Sequence, residues 1–457
     1  MNYLSLLTNF FRLRGNTKKT TVQLLEIQEK KLRGLLHYAY EHSAYHRRQF
    51  QEAGIDETML AKLPLSRFPT MDKPLLMENF DDIITTRNFT QEDLRAFDRS
   101  EAEQKSKFLD RYHIVHSSGS TGKPMYFVYD EAAWNQMLMG IIRGALWDMS
   151  AREILDLLLV KGPRIVYIAA TDGRYGGAMA VGSGIDGLNG KQLSLDINRP
   201  LSEWVERIQA FNPNFIIGYP SAIKILGELV EKGEVSVNVL RVVSCGEPLA
   251  PCLRNYLEKV FQAEIINFYG ASESLALGVE SSRTDGMCLF DDLNIIEVED
   301  GNMYLTCLYN KVQPLIRYRI TDQLVVRPPD LLGETPFSKA DILLGRDEDI
   351  LWFEDVDGNR DFLHPLAIEG FCLVGLLDYQ FMQTNSTAFV MLAEISDKAR
   401  EEAIRSEMKT QMRSILSEKK MDYVSFDVRF VNSILPDSRT GKKPLIVKNP
   451  EGGAITL

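Results

Sequence analysis

The order of apolar and polar positions predicts alternating strands and helices through the middle of the chain. Short β-branched or aromatic runs, typical of buried strands, are separated by stretches with apolar residues at the three- and four-residue spacing of helices. The predicted strands cover residues 164–170, 215–218, 239–243 and 264–268, and the predicted helices cover 132–147, 201–211, 221–232 and 251–261. This alternation predicts an α/β fold with a largely parallel sheet and a ligand crevice beyond the strand ends.

The pattern changes on either side of this region. Residues 20–54 have helical spacing, whereas the three prolines within 63–74 predict an extended surface connection. Asp300-Gly301 between two strand-like runs predicts an antiparallel hairpin. Beyond about residue 345 the pattern predicts an α+β unit with a helix near 365–374, strands near 379–383, 388–392 and 424–431, and a charged helix over 397–418. We therefore predict two domains, residues 1–344 and 345–457.

The composition is that of an ordinary globular protein, with 45% of the 457 residues hydrophobic. A net charge of −11 does not indicate a general affinity for nucleic acid or anionic membranes, so an anionic nucleotide would need local compensation. Five scattered cysteines without a CxxC pair argue against a disulfide framework or a zinc knuckle. No stretch approaches the roughly 20 apolar residues of a spanning helix. We expect an unexported, cytoplasmic protein without a membrane anchor.

Residues 116–125 carry a strong chemical signal. Their sequence, His-Ser-Ser-Gly-Ser-Thr-Gly-Lys-Pro-Met, lies between two strand-like runs. The glycines, the hydroxyls and Lys123 suit a loop that surrounds phosphate oxygens. It is not a Walker loop, because Pro124 stands where that motif requires a hydroxyl. Taken alone, the stretch fits a phosphate loop and a polar hairpin connection equally well.

Three other patterns fail on their context. Residues 182–187 satisfy GxGxxG but lack a clear preceding strand and a following helix. Residues 355–359 imitate a calcium loop, but Arg360 stands where glycine is required, so a hairpin turn is expected. His42 and His46 are predicted to share a helical face. Since no HExxH-type acid accompanies them, we expect surface or packed histidines.

Four further segments bring glycines, carboxylates or lysines to predicted strand ends or to the C-terminal region. They are Val-Ser-Cys-Gly-Glu-Pro-Leu (243–249), Phe-Tyr-Gly-Ala-Ser-Glu (268–273), Arg-Tyr-Arg-Ile-Thr-Asp (317–322) and Pro-Asp-Ser-Arg-Thr-Gly-Lys-Lys-Pro (436–444). A purine can stack on Tyr269, and Glu273 can hold Mg²⁺ through hard carboxylate oxygens. Asp322 can accept hydrogen bonds from paired ribose hydroxyls.

In this order, with Gly345-Arg346-Asp347 before the last segment, the motifs resemble those of the adenylate-forming superfamily of acyl-CoA synthetases and related enzymes. The sequences of residues 36–50, 53–55 and 63–65 are most similar to those of the phenylacetate-CoA ligase branch. The resemblance implies a large N-terminal domain of several subdomains with mostly parallel sheets. It also implies a small, mobile α+β C-terminal domain.

The resemblance implies roles for individual residues. The loop that clasps the β- and γ-phosphates corresponds to Ser117, Ser118, Gly119, Ser120, Thr121, Gly122 and the catalytic Lys123. The adenine wall corresponds to Gly246, Glu247, Pro248, Phe268, Tyr269 and Gly270. Ser272 and the catalytic, magnesium-binding Glu273 correspond to the end near the α-phosphate, and Asp322 to the ribose-binding acid. The nucleotide-binding Arg346 and Asp347 correspond to the hinge, and Lys442 to the lysine that approaches the α-phosphate and carboxylate.

By position, the acyl pocket is expected to include His116, Tyr175, Gly176, Tyr219 and Pro220. Aromatic residues there suit an aryl or arylalkyl acid, whereas Arg174 could instead meet a second carboxylate. The sequence does not decide between these acids.

The implied activity is ATP-dependent conversion of a carboxylic acid to acyl-AMP and pyrophosphate, followed by transfer to a thiol, most simply CoA. One alternative is an adenylating enzyme with another acceptor: a carrier protein, an amine, or a hydroxyl or phosphate that receives AMP. The other is a noncatalytic nucleotide-binding protein, against which the intact Lys442 and Glu273 argue.

Expected ligands and partners follow from the same resemblance. We expect ATP, Mg²⁺ and CoA, with a small-molecule carboxylic acid as substrate and an acyl carrier protein as the alternative acceptor. Residues 329–339 lack the cysteines that many relatives in this branch carry, so we predict no structural zinc. The oligomeric state is expected to be a monomer or a homodimer.

Overall fold

The computed structural model describes residues 3–99, 107–116, 125–169, 179–180, 190–196, 201–299, 301–330, 335–346, 351–355, 360–363, 368, 371, 373–418, 421–435 and 443–448. The N-terminal part is helical: α1 (Tyr3–Gly15), α2 (Thr21–His42), α3 (Ala44–Glu52), α4 (Lys73–Glu78), α5 (Phe80–Ile83) and α6 (Gln91–Asp98). A capping box formed by Thr20 and Gln23 begins α2, because each side chain satisfies the other residue's backbone N–H. The helices predicted over residues 20–54 are confirmed, whereas α1 was not predicted.

The predicted surface connection at 63–74 is only partly correct. Phe68 and Met71 are buried, and the Phe68 ring packs edge-on against Phe50 of α3 at 5.0 Å. The Met71 N–H donates to the Arg317 carbonyl oxygen at 3.1 Å. The prolines keep the segment out of a long helix, but its apolar side chains still pack into the core.

The large sheet and its covering elements follow. They are β1 (His113–His116), β2 (Tyr126–Tyr129), α7 (Glu131–Ala145), α8 (Ala151–Asp156), a π-helical turn (Leu157–Lys161), β3 (Arg164–Ala169), β4 (Lys191–Asp196), α9 (Leu201–Phe211), β5 (Phe215–Gly218), α10 (Pro220–Glu231), β6 (Arg241–Cys245), α11 (Pro251–Phe261), β7 (Glu264–Ala271), β8 (Ser274–Glu280) and β9 (Met287–Leu289). The predicted alternation of strands and helices is confirmed. The strands predicted on either side of residues 117–124 are also confirmed, and β1 and β2 pair antiparallel.

The chain continues with antiparallel strands: β10 (Asn294–Glu299), β11 (Asn302–Cys307), β12 (Tyr318–Ile320), β13 (Asp322–Arg327) and β14 (Lys339–Arg346). The predicted hairpin is formed by β10 and β11. The large sheet has the order β13-β14-β9-β8-β7-β6-β5-β3-β4 in the part of the chain that the structure describes. Strands β4, β3, β5, β6 and β7 run parallel, and the others continue the sheet antiparallel.

A smaller C-terminal unit has its own core. Its elements are β15 (Leu351–Glu354), β16 (Arg360–Leu363), β17 (Leu376–Asn385), β18 (Ala388–Ile395), α12 (Glu401–Glu418), β19 (Ser425–Val431) and β20 (Ile446–Lys448). A mixed sheet of order β19-β18-β17-β20 forms one layer. Its apolar core includes Phe381, Phe389 and Met408, separate from the core of the large sheet. The predicted α/β fold with a small α+β unit is confirmed. The boundary at residues 344 and 345 stays a prediction, and β14 extends to Arg346.

The expectation that His42 and His46 share a helical face is wrong. Ser43 separates α2 from α3, because its side chain caps α3 by accepting a hydrogen bond from the His46 N–H. His42 is exposed, whereas His46 is buried with Nε2 at 3.0 Å from the Pro314 carbonyl oxygen. Burial lowers the pKa of His46 to about 4, which favours a neutral ring.

This buried histidine predicts acid destabilisation. The pKa of His46 is lower in the folded chain than in the unfolded one, so the unfolded chain binds more protons between about pH 6.5 and pH 4. The stability is complete above pH 6.5 and falls by about 3 kcal/mol as the pH drops to 4. Urea unfolding of the native protein and His46→Gln across this range should show a flatter pH dependence for the variant. His42→Gln serves as the control, and equal slopes for His46→Gln and the native protein would contradict the prediction.

None of the helices within the described ranges is both long and apolar enough to cross a lipid bilayer.

Candidate active site

The candidate site lies at the C-terminal ends of parallel strands of the large sheet. Tyr219 directly follows β5, Gly246 and Glu247 follow β6, and Tyr269 lies near the end of β7. These strands are neighbours in the sheet, so segments that are far apart in sequence meet at one edge. Ligand crevices of parallel α/β sheets form at this edge.

Tyr269 and Asp322 form a polar pair at this edge. The Tyr269 hydroxyl donates to Asp322 Oδ2 at 2.8 Å. Asp322 begins β13 and lies opposite Arg346 of β14 in the strand register. The structure therefore brings the predicted ribose acid next to the predicted adenine-stacking ring, and it places the hinge position Arg346 on the adjacent strand.

Phe268 lies on the other side of β7. Its ring is buried 6.2 Å from the Phe290 ring, and a Cβ atom on Gly144 of α7 would come within 2.5 Å of it. Successive side chains of a strand point to opposite faces, which explains why Phe268 packs under α7 while Tyr269 reaches Asp322. Of the two aromatic residues predicted for the adenine wall, the structure brings the Tyr269 ring to the side of Asp322.

Ser272 and Glu273 form the tight turn between β7 and β8. Ala271 pairs with Ser274, so these two residues occupy the turn itself. The buried Tyr129 hydroxyl lies 3.1 Å from both of their carbonyl oxygens, and its O–H can donate to either. Gly270 is required nearby, since a Cβ atom there would lie 2.5 Å from the Leu275 carbonyl oxygen. The β2 strand thus fixes the turn that carries the predicted magnesium ligand.

Glu247 connects three parts of the chain. Gly246 precedes it with a φ of +82°, a conformation that favours glycine. The Glu247 carboxylate accepts hydrogen bonds from the Ser221 N–H at 3.1 Å, the Ser221 hydroxyl at 3.0 Å and the Lys443 N–H at 2.7 Å. Burial raises the pKa of Glu247, and the hydrogen bonds from Lys443 and Ser221 partly offset this effect. Pro248, the third residue predicted from this motif, is exposed.

Lys443 is a site residue that the sequence reasoning missed. Its ammonium pairs with Asp378 of β17, and burial lowers its pKa to about 8. Gln380 holds the next residue by donating to the Pro444 carbonyl oxygen at 2.9 Å. A lysine doublet carries no signal that would have identified Lys443 as the partner of Asp378. The hydrogen bond from its backbone brings the residue beside Lys442 to the edge of the large sheet.

Three of the five predicted acyl-pocket residues are described, and they lie in two different places. Tyr219 and Pro220 begin α10, and Tyr219 is buried. Burial raises the pKa of Tyr167, and Cys245 and Tyr219 add to this shift. Tyr167 and Cys245 were not predicted, and their positions near the ends of β3 and β6 are the signal that could have found them. His116 instead lies with its Nε2 3.9 Å from Asp98 Oδ1.

Several predicted site residues lie outside the described ranges, and their roles stay predictions. They are Ser117, Ser118, Gly119, Ser120, Thr121, Gly122, Lys123, Tyr175, Gly176, Asp347 and Lys442. Within the described ranges, no three His, Cys, Asp or Glu side chains are arranged to hold a metal ion. The absence of zinc also stays a prediction, which metal analysis of the purified protein would check.

No protein-family model matches the chain. The phenylacetate-coenzyme A ligase of Escherichia coli (strain K12) is 25% identical over 358 residues, covering 73% of this chain and 74% of that protein. Protein CapK of Staphylococcus aureus is 22% identical over 454 residues, covering 93% of this chain and 89% of that protein.

Solved structures show the same fold. 2-Hydroxyisobutyryl-CoA ligase in the postadenylation state, in complex with 2-HIB-AMP, aligns with a TM-score of 0.70 and 18% identity, covering 96% of this chain and 92% of that chain. The same ligase with 2-HIB-AMP and CoA in the thioesterification state gives a TM-score of 0.57 at 19% identity, covering 95% and 91%.

Proposed function

We propose that this chain, as a member of the phenylacetate-CoA ligase-like branch of the adenylate-forming superfamily, adenylates an aryl or arylalkyl acid. It is an AMP-forming acid-thiol ligase. The proposed first half-reaction converts the acid and ATP to acyl-AMP and pyrophosphate. The proposed second half-reaction transfers the acyl group to a thiol, most simply that of CoA.

The observation that carries the proposal is the hydrogen bond from the Lys443 N–H to Glu247. It joins residues 196 positions apart and places the neighbour of Lys442 at the edge where Tyr269 and Asp322 form their pair. A nucleotide site and a cation from the C-terminal unit are both needed to activate a carboxylate with ATP.

The residues of the site suit a magnesium-bound nucleotide. A carboxylate can accept several hydrogen bonds, so Asp322 can accept from ribose hydroxyls as well as from Tyr269. Glu273 would hold Mg²⁺ through its carboxylate, and the ion would neutralise phosphate charge. The turn that carries Glu273 is already fixed by Tyr129, which supports a preorganised ligand position.

Charge neutralisation is the main task of the protein's own residues. A carboxylate that attacks a polyphosphate meets strong repulsion, and an acid alone is a poor electrophile. In the proposed mechanism, Lys442 and Lys123 offset this charge while the site aligns the acid with the α-phosphorus atom. The bond from the α-phosphorus to the bridging oxygen breaks, and pyrophosphate leaves.

The test is ATP–pyrophosphate exchange with Mg²⁺ against a panel of aryl, arylalkyl, fatty and amino acids. Exchange that depends on one acid class would support adenylation and identify the substrate class. The absence of exchange with every acid, while ATP still binds, would overturn adenylation of an acid and favour AMP transfer to another acceptor or a noncatalytic role.

The acceptor is tested separately. Product analysis with and without CoA should show an acyl-CoA only when CoA is present. Accumulated acyl-AMP that CoA does not consume would overturn the CoA assignment, and carrier proteins and amines would then be tested in its place.

A further inference from the structure

The N-terminal part of α10 is linked, through Glu247 and Glu394, to both flanks of the segment that contains Lys442. Ser221 and Lys224 lie three residues apart on this helix and therefore face the same side. We call these two residues the α10 anchor. Ser221 is linked through Glu247 to Lys443, and Lys224 is linked through Glu394 to Ile434. Ile434 and Lys443 border residues 435–442.

The Lys443 flank is held through Glu247. The Glu247 carboxylate accepts two hydrogen bonds from Ser221, at 3.1 and 3.0 Å, and a third from the Lys443 N–H at 2.7 Å. Glu247 thus connects the first turn of α10, which follows β5, to the backbone of the C-terminal unit. Asp378 secures the same flank by pairing with the Lys443 ammonium.

The Ile434 flank is held through Glu394 of β18. Lys224 Nζ pairs with a Glu394 carboxylate oxygen, and it also lies 2.9 Å from Glu228 Oε1. The other Glu394 oxygen accepts a hydrogen bond from the Ile434 N–H at 3.2 Å. The side chains of Lys224 and Glu394 are only 6% and 8% exposed, so this ion pair is shielded from water.

The pair joins two separate hydrophobic cores. Neighbours of Lys224 on α10, such as Ile223, belong to the core of the large sheet, whereas Ala393 beside Glu394 belongs to the C-terminal core. Removing one member of a buried ion pair leaves an uncompensated buried charge, which is strongly unfavourable. Loss of this pair should therefore loosen the contact between the two units more than it affects the packing inside either unit.

We propose that the α10 anchor positions the C-terminal unit for the first half-reaction, with Lys224 of the anchor and its partner Glu394 of β18 as positioning residues. This inference rests on the proposed function, because Lys442 lies by sequence between the two anchored flanks. Ser221 and Glu247 hold one flank and Lys224 and Glu394 hold the other. The anchor acts on the acid-activating step, since it holds the arrangement in which Lys443 reaches the nucleotide edge.

Cys252 offers a readout that does not depend on activity. It lies on α11 of the large unit but is buried within the C-terminal core, together with residues such as Tyr379. Loosening of the contact should therefore expose its thiol. Cys288 and Cys307 are buried in the core of the large sheet and report general unfolding instead.

The variants are Lys224→Met and Glu394→Gln, which remove the two charges of the ion pair in turn. The rate at which N-ethylmaleimide modifies Cys252, measured by peptide mass spectrometry, should rise about tenfold or more in both. The rates for Cys288 and Cys307 should stay at their native values. Lys232→Met is the matched control, because this exposed lysine caps the far end of α10. Lys224→Arg should restore much of the native protection, since it keeps the charge.

The second arm measures ATP–pyrophosphate exchange with phenylacetate as the probe acid, or with the acid that the panel identifies. In Lys224→Met, kcat should fall about tenfold while the KM for ATP stays within about twofold, because the Tyr269–Asp322 pair is untouched. An equal loss in Lys232→Met would overturn the assignment.

The two arms separate this inference from the proposed function. If the native protein shows no exchange with any acid, the proposed function fails, and Cys252 labelling alone decides whether Lys224 anchors the C-terminal unit. Native labelling rates in both Lys224→Met and Glu394→Gln would overturn the anchor even where exchange is intact. Faster labelling with unchanged exchange would overturn its role in the first half-reaction.

Discussion

Replacing Lys442 by alanine is expected to lower the rate of acyl-AMP formation by about 10²–10³-fold, while ATP binding is nearly unchanged. The ammonium would act where the attacking carboxylate and the α-phosphate bring negative charges together, so its contribution is largest in the transition state. The hydrogen bond from Lys443 to Glu247 supports this role, because it brings the adjacent residue to the nucleotide edge. The measurement is ATP–pyrophosphate exchange combined with calorimetric titration of ATP.

The control for this prediction is Lys398→Ala, which removes an exposed lysine from the same C-terminal unit. Exchange in the control should equal that of the native protein. An unchanged exchange rate in Lys442→Ala would remove this lysine from the mechanism, and a large loss of ATP affinity would assign it to ground-state binding instead.

Replacing Arg143 by methionine is expected to lower the free energy of unfolding of the large unit by about 3–5 kcal/mol. Arg143 of α7 and Asp292 form a fully buried bidentate pair, with N···O distances of 2.7 and 2.9 Å. The guanidinium also lies 4.3 Å from the centre of the Phe290 ring and donates to the Leu13 carbonyl oxygen of α1. Its loss would leave Asp292 charged in the core and would remove this hydrogen bond between α7 and α1.

Burial alone would raise the pKa of Asp292, but Arg143, together with the Asn16 hydrogen bond and the charge of Lys31, outweighs this effect and holds the pKa below its ordinary value. Adding Asp292→Asn to Arg143→Met should therefore recover part of the lost stability, because it removes the uncompensated charge. Arg152→Met, at an exposed position of α8, should change the stability by no more than about 0.5 kcal/mol. Urea unfolding followed by tryptophan fluorescence checks all three variants. A loss below about 1 kcal/mol in Arg143→Met would show that the pair contributes little.

Glu247 makes contacts with both the large unit and the C-terminal unit. It follows the left-handed Gly246 at the end of β6, which directs its carboxylate toward the start of α10 and the C-terminal unit. The resemblance assigns it to the adenine wall, and its contacts with Ser221 and Lys443 add a link between the nucleotide edge and the segment of Lys442. A motif residue predicted to bind a ligand therefore also connects the two units.

The candidate site was predictable where it depends on local sequence. Gly246, Tyr269, Glu273 and Asp322 belong to short motifs that follow strands, and the structure brings Tyr269 and Asp322 into contact. The residues that the sequence reasoning missed, such as Lys443, Tyr167 and Lys224, stand in no motif. Their roles arise from partners on other elements.

The strands and helices of the α/β region, the antiparallel hairpin after it and the order of the motifs could all be predicted from the amino-acid sequence. These features depend on periodicity and on turn chemistry over a few residues, which a single segment contains. The folded chain was needed to show that Phe268 packs under α7, that His46 is separated from the helix of His42, and that Lys224 pairs with Glu394. Lys224 and Glu394 lie 170 positions apart, and their attraction depends on burial and proximity that only the folded chain creates.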